Sequence, residues 1–291
     1  MTMTAKRTTV TVLLMLAGAV TLGGCSGEPE DALVVHVGGT MRPVMKKLAE
    51  MYEKETGQKI EINSAGSGEL LAHIQEKESG DVYICHDPFL AILMKRGLGV
   101  DGWTVAHLTP VVVTPKDKTD IKDLKDAVKP DVALVLTDFE KSTLGWLLPT
   151  IMRKAGFKIE EVKKLPKLKT VRKGSQAAND VQTGNADAAI VWNAVWFLRK
   201  DTLRKVDIVD EYLPAPGVDA VTTATEKKGK YFLMPVRVTV ATLKCSDQPK
   251  AARTFAEWLA STPAVETIRS YGFTMPPKTT KDYADGAKLG S

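Results

Sequence analysis

From residue 32 the chain repeats one pattern: a short apolar run, a turn of small residues, then a segment with apolar positions three and four apart. Residues 32–37 and 59–62 are the first two β-prone runs. Gly38-Gly39-Thr40-Met41 follows the first and Asn63-Ser64-Ala65-Gly66-Ser67-Gly68 the second. They open into amphipathic helical segments at 43–52 and 69–77. Residues 80–85 read as a buried strand ended by His86-Asp87-Pro88, and 89–96 as a brief helix stopped by Gly97-Leu98-Gly99. This β-α-β-α-β order opens a doubly wound α/β sheet, whose ligands sit beyond the carboxyl ends of the strands.

The Pro-punctuated extended stretch 107–115 reads as a crossover to a second domain. There the pattern predicts a short helix over 120–127, a buried strand over 132–136 and a helix over 146–156. After a charged stretch, Gly174-Ser175 begins another helix that Gly184-Asn185 ends, and 186–193 is a strand with a polar tip. Residues 231–243 read as one long ribbon returning to the first domain, and 249–260 and 262–271 as closing helices.

Charge excludes some partners. The formal net charge is +5; setting aside Lys6 and Arg7 leaves 38 basic against 35 acidic side chains, or +3, in no stripe that would suit nucleic acid. Lys6-Arg7, the apolar run 8–22 and Leu22-Gly23-Gly24-Cys25 read as an export signal whose ending resembles a bacterial lipobox. Cys25 is the expected lipidation site, with 1–24 a signal peptide and 25–31 a tether, so the mature protein is expected to be exported and membrane-anchored. Cys85 and Cys245 remain, in a compartment that permits but does not require their pairing.

The chemistry expected at the strand ends is anion binding. A strand that turns through small residues into a helix leaves peptide N–H groups unpaired at the helix start. Gly39, Thr40, Ser67 and Gly68 would form one side of such a pocket, gripping an oxyanion with amides and hydroxyls and without lysine or arginine. Molybdate, tungstate and sulfate carry no proton at neutral pH and are satisfied by donors alone. Hydrogen phosphate needs an acceptor, and leaving that bond unmade costs about 1–3 kcal/mol. Asp87 or Glu69 could accept, although Glu69 also reads as a first-turn helix acid. Cys85 and Asp87 are possible ligand neighbours, a thiol contact admitting arsenite. Cys85-His86-Asp87 alternate in direction along a strand and form no catalytic relay by themselves. The four histidines show no metal-ligand spacing, and neither a metal nor a cofactor is expected.

Gly39-Thr40, residues 65–74, Gly80-Asp81-Val82-Tyr83-Ile84, residues 184–192 and Arg269-Ser270-Tyr271-Gly272-Phe273 occur in an order that resembles type 2 solute-binding proteins of ABC importers, nearest the molybdate/tungstate-binding branch. The resemblance implies two doubly wound α/β lobes joined by a two-strand hinge: 32–108 with 240–276, and 109–239 with hinge strands at both ends, leaving 277–291 as a tail. It implies a non-enzymatic, monomeric protein that passes a small oxyanion to a membrane permease and its ATPase. The second lobe would add Leu144, Gly174 and Ser175. The position of a tyrosine ligand falls on Trp192, with Asn193 as its alternative. Sulfate, phosphate, arsenite or an organic anion, a sensor role, and an envelope enzyme using Cys85 are the rivals.

Overall fold

The computed structural model describes residues 32–222, 230–233, 235–276 and 280–283. The expected signal peptide, Cys25 and the tether lie outside them. The first lobe runs β1 (Leu33–Gly38), α1 (Arg42–Thr56), β2 (Ile60–Ala65), α2 (Ser67–Lys77), β3 (Val82–His86), α3 (Phe89–Lys95) and β4 (Gly99–Leu108). The chain crosses at Thr109 into β5 (Pro110–Pro115), α4 (Leu124–Ala127), β6 (Leu134–Thr137), α5 (Thr143–Lys154), α6 (Ile159–Val162), β7 (Lys169–Val171), α7 (Gly174–Gln182), β8 (Ala188–Trp192), α8 (Asn193–Phe197) and β9 (Leu203–Asp207). A hairpin of β10 (Ala220–Thr222) and β11 (Lys230–Phe232) precedes the return through β12 (Val236–Leu243), α9 (Pro249–Leu259), α10 (Thr262–Ser270) and β13 (Thr280–Tyr283).

Each lobe is built on one mixed sheet, ordered β13-β4-β12-β3-β1-β2 and β7-β6-β8-β5-β9. Within the first, β1 lies parallel between β2 and β3; within the second, β6 lies parallel between β7 and β8. Helices cover both faces, which is why β3 and β8 are apolar runs rather than alternating ones. The carboxyl ends of these parallel strands carry the turns expected to bind ligand, and both sheets turn that edge toward one cleft. Tyr83 and Phe255 anchor the first lobe's core, with Tyr52, Phe255 and Trp258 in ring contact beneath α1.

Four boundaries differ from those the sequence pattern predicts. The returning strand joins the first sheet from Val236, opposite Leu108, rather than from residue 240. The ribbon 231–243 is two strands, because Pro235 has no N–H to give a ladder. Part of the expected tail is β13, an edge strand antiparallel to β4. Helix α5 starts at Thr143, since Ser142 Oγ accepts the Gly145 N–H at 2.9 Å and caps it there.

Candidate functional site between the lobes

A cavity of about 270 Å³ lies between the two strand-end edges. Ser67 and Thr137 reach it from opposite lobes. Both are buried, 5 % and 2 % exposed, and neither hydroxyl has a hydrogen-bond partner among the described residues. A buried hydroxyl normally finds a partner, because leaving one unmade costs about 1–3 kcal/mol. Two such hydroxyls face one cavity from two lobes and are free to bond to whatever enters it. Ser67 is held firmly: the buried Tyr83 hydroxyl donates to its carbonyl at 2.6 Å. Gly38 leaves room beside it, since a Cβ there would stand 2.9 Å from Ser67 Oγ and would push the hydroxyl aside.

Three helix starts line the same space. At α2 the Gly66 N–H is taken by Glu69 Oε2 at 3.2 Å, leaving the amides of Ser67 and Gly68 free. At α5 the cap satisfies Gly145, leaving Thr143 and Leu144. At α7 Gln176 and Ala177 both donate to the Lys173 carbonyl, leaving Gly174 and Ser175. These amides carry the positive end of each helix dipole toward the cavity. Gly145 cannot be replaced: a Cβ would collide with the Asp138 main-chain carbonyl, so only glycine lets the α5 start pack on its own leading loop.

His86, at the end of β3, bridges the lobes. Thr143 Oγ1 donates its proton to the Asp87 carbonyl at 2.8 Å, so the 3.0 Å contact between Thr143 Oγ1 and His86 Nδ1 has the imidazole as donor. The proton of the neutral ring therefore sits on Nδ1 and the lone pair on Nε2. Burial pushes the His86 pKa below its ordinary value and keeps the ring neutral. The ring lies 6.2 Å from Trp192 and 6.2 Å from Phe89, both of which line the cavity.

The expectation that no lysine or arginine lines the pocket does not hold. Arg42, Lys141, Arg172, Lys173 and Arg199 line the cavity, and among the described residues no aspartate or glutamate does. Arg199 is tied down, its Nη2 to Asn179 Oδ1 at 2.8 Å and its Nη1 to the Val195 carbonyl at 3.1 Å. The other four are exposed and have no carboxylate partner among the described residues. Their signal was present in the sequence: Lys141, Arg172-Lys173 and Arg42 each stand within two residues of a helix start.

Of the residues expected at the site, Gly39, Thr40, Ser67, Gly68, Leu144, Gly174, Ser175 and Trp192 all line the cavity. Trp192 is 4 % exposed, and its indole N–H has no partner among the described residues. Three others are placed elsewhere. Asn193 is spent on the hinge: Oδ1 accepts the Thr109 N–H at 3.0 Å, while Nδ2 donates to the Gly272 carbonyl at 2.9 Å and Thr274 Oγ1 at 3.2 Å. Asp87 is buried in an ion pair with Arg237. Cys85 is buried against Thr239 at 3.3 Å, its thiol pushed up to about 12 by burial, and is free, as is Cys245. Thr137 and the cations are the residues that sequence reasoning missed, and His86 entered it only as the middle of a strand-end motif. Among the described residues no cluster of His, Cys, Asp or Glu could hold a metal ion, and no helix is long and apolar enough to cross a membrane.

Residues 33–274 match the family described as bacterial extracellular solute-binding protein. A Haemophilus influenzae protein named only as a binding protein is 26% identical over 251 residues, 84% of this chain and 91% of its own. Among solved structures, the periplasmic molybdate-binding protein of Azotobacter vinelandii superposes with a TM-score of 0.67 at 17% identity, over 84% of this chain and 99% of that one. PEB3 of Campylobacter jejuni with bound L-phospholactate superposes with a TM-score of 0.61 at 18% identity, over 84% and 100%. These likenesses show a shared fold: two mixed sheets flanked by helices, as in type 2 periplasmic binding proteins.

Proposed function

The chain belongs to the family of bacterial extracellular solute-binding proteins, and on that premise we propose that it captures a tetrahedral oxyanion between its lobes and delivers it to an ABC permease and its ATPase. The observation that carries this reading is the pair of unpartnered hydroxyls, Ser67 Oγ and Thr137 Oγ1, presented from opposite lobes to one cavity. Contacts that exist only when both lobes meet the anion would shift the population toward closure. The finer reading is molybdate or tungstate, held by hydroxyls, helix-start amides and the Trp192 indole N–H. It is supported by that donor set and by the fold shared with the Azotobacter protein. Export as a Cys25-anchored, monomeric lipoprotein belongs to the same proposal. Its pieces are the leader read from the sequence and the family's extracellular character. The binding role requires no covalent chemistry, and Cys85, buried behind the site, contributes none.

Calorimetry of ligand-stripped protein against molybdate, tungstate, sulfate and phosphate tests the reading. Heat with molybdate or tungstate that Ser67→Ala abolishes supports it. Heat with sulfate and none with molybdate overturns the ligand, and anion binding indifferent to Ser67→Ala overturns the site.

A second reading is favoured by the cavity's size and rim. At a water's share of about 30 Å³ per heavy atom, a five-atom oxyanion fills little more than half of about 270 Å³. The exposed cations at the mouth would suit a second acid group on an organic arm. Phosphoglycolate in the same titration discriminates, since tighter binding than inorganic phosphate would favour the larger anion.

A further inference from the structure

We infer that His86 is the residue that matches the cleft to the protonation state of its anion: a fully deprotonated oxyanion enters together with one proton taken up at His86 Nε2, whereas an anion bearing its own proton enters without one. This rests on reading the cleft as the ligand site and assigns that site a proton linkage and a further ligand group.

The geometry fixes the starting state. Thr143 has a single hydroxyl proton, and the Asp87 carbonyl, which can only accept, claims it at 2.8 Å. The 3.0 Å bond between His86 and Thr143 then needs the proton on Nδ1. Nδ1 also lies 3.5 Å from the Asp87 carbonyl, a second acceptor for the same proton, and Nε2 is left as the lone pair of a ring that lines the cavity. A lone pair turned toward the oxygens of molybdate, tungstate or sulfate is repelled by them. The same lone pair accepts a hydrogen bond from the hydroxyl of hydrogen phosphate or hydrogen arsenate. Neither carboxylate near the strand ends lines the cavity: Glu69 Oε2 accepts the Gly66 N–H and Asp87 is held by Arg237, so besides the Ser67 and Thr137 hydroxyls, which can also donate, the acceptor offered there is the imidazole.

The charges around His86 set the direction of the linkage. On its own strand it has Cys85, held neutral, and next to it Asp87, whose charge is matched by Arg237 of β12. From α5 it meets Thr143, and from β8 and α3 the uncharged rings of Trp192 and Phe89. Across the cavity stand Arg42, Lys141, Arg172, Lys173 and Arg199, and among the described residues no carboxylate. With the cleft empty, burial opposes a charge on His86 and outweighs the Asp87 carbonyl and carboxylate that favour it. A dianion reverses that balance. Nε2 then takes a proton from solvent, and the imidazolium donates it as a hydrogen bond to an oxyanion oxygen. No bond other than N–H is made or broken.

Calorimetry of the ligand-stripped full-length mature protein, in two buffers of different ionisation enthalpy at pH 7.5, reads the proton directly. Molybdate and sulfate are expected to bind with uptake of about one proton, their affinity falling about tenfold per pH unit between pH 7 and 8. Inorganic phosphate, mainly hydrogen phosphate at this pH, is expected to bind without proton uptake, with at most the partial release that converts the dihydrogen form in the pool. His86→Gln, whose amide can donate without titrating, is expected to bind molybdate with no uptake and a flat pH profile. Thr143→Val, which releases the tautomer, is expected to reduce the preference between the two anion kinds. Uptake near zero with molybdate in the wild type, or unchanged uptake in His86→Gln, overturns the inference while leaving the site in place. Failure of every anion to bind would overturn the site and the inference together.

Discussion

Thr143 clasps Asp87 across the cleft: the hydroxyl at the start of α5 donates to the Asp87 main-chain carbonyl at 2.8 Å and receives the His86 Nδ1–H at 3.0 Å. One side chain of the second lobe thus holds two groups of the first, beside the cavity rather than across a remote face. Thr143→Val keeps the shape and removes both bonds. It is expected to weaken anion binding by about 1–2 kcal/mol and to widen the ligand-free molecule in small-angle scattering. Unchanged affinity with an unchanged radius would mean that closure does not use this clasp.

The clasp depends on a second pair. Arg237 meets Asp87 in two parallel bonds of 2.9 Å, and its own main-chain N–H adds a third at 2.9 Å. Asp87 is 2 % exposed, so an unpaired carboxylate there would be costly. Arg237→Met is expected to lower unfolding stability by about 2–4 kcal/mol, placed at the lower end because the arginine is one-third exposed. Urea denaturation measures it. The expected loss of anion affinity should be smaller than that of Thr143→Val, since Arg237 itself does not line the cavity.

Ser67 and Thr137 give a prediction in which stability and function part. Neither hydroxyl has a partner among the described residues, so removing one deletes a buried desolvated group without breaking a bond seen there. Ser67→Ala and Thr137→Val are expected to leave the melting temperature unchanged or raised. Each should weaken the anion by about 1–3 kcal/mol, the worth of a hydrogen bond to a charged group. A variant that melts lower and binds normally would make its hydroxyl structural.

Much of this was legible in the chain, and the rest was hidden for physical reasons. The strand-turn-helix units and their common edge follow from periodicity and small residues, and eight of the expected contact positions line the cavity. Which second-lobe strand end adds a hydroxyl depends on register, and so Thr137, an ordinary strand-end threonine, gave no sign. Asn193 and Trp192 are neighbours, and only the turn from β8 into α8 decides which one enters the cavity and which one ties the hinge. His86 was legible as part of a strand-end motif at the ligand edge, but its role was not, because its tautomer is set by Thr143, 57 positions away. Cations beside helix starts were visible, but an expectation of a neutral, amide-lined pocket passed over them.

Those cations carry their own prediction. Arg172 and Lys173 are exposed at the mouth, where charges attract a dianion over roughly a Debye length of 10 Å at 0.1 M salt. Arg172→Gln with Lys173→Gln is expected to slow anion association several-fold at low salt and to flatten its salt dependence. Stopped-flow fluorescence from Trp192 would follow it. A rate unaffected by the double change, at every salt concentration, would assign the rim no part in capture.

Acid should unfold the empty protein through two histidines. His36 is 1 % exposed, its Nε2 bonded to the Ser79 carbonyl at 3.0 Å and its Nδ1 unpartnered; His86 is enclosed between the lobes. Burial lowers the pKa of both below the ordinary 6.5. The unfolded chain therefore binds more protons than the folded one between the lowered values and 6.5, so stability rises with pH through that window. It is fully present above about 6.5 and is lost as pH falls toward the folded-state values. Anions oppose the loss at His86 alone, since a dianion in the cleft favours its charged form. Melting temperatures measured from pH 8 to pH 5 should fall below pH 6.5, and His36→Gln should flatten the fall with or without anion. Molybdate should flatten it further only while His86 is present. A decline that persists unchanged in the His36→Gln, His86→Gln double variant would place acid sensitivity in the carboxylates instead.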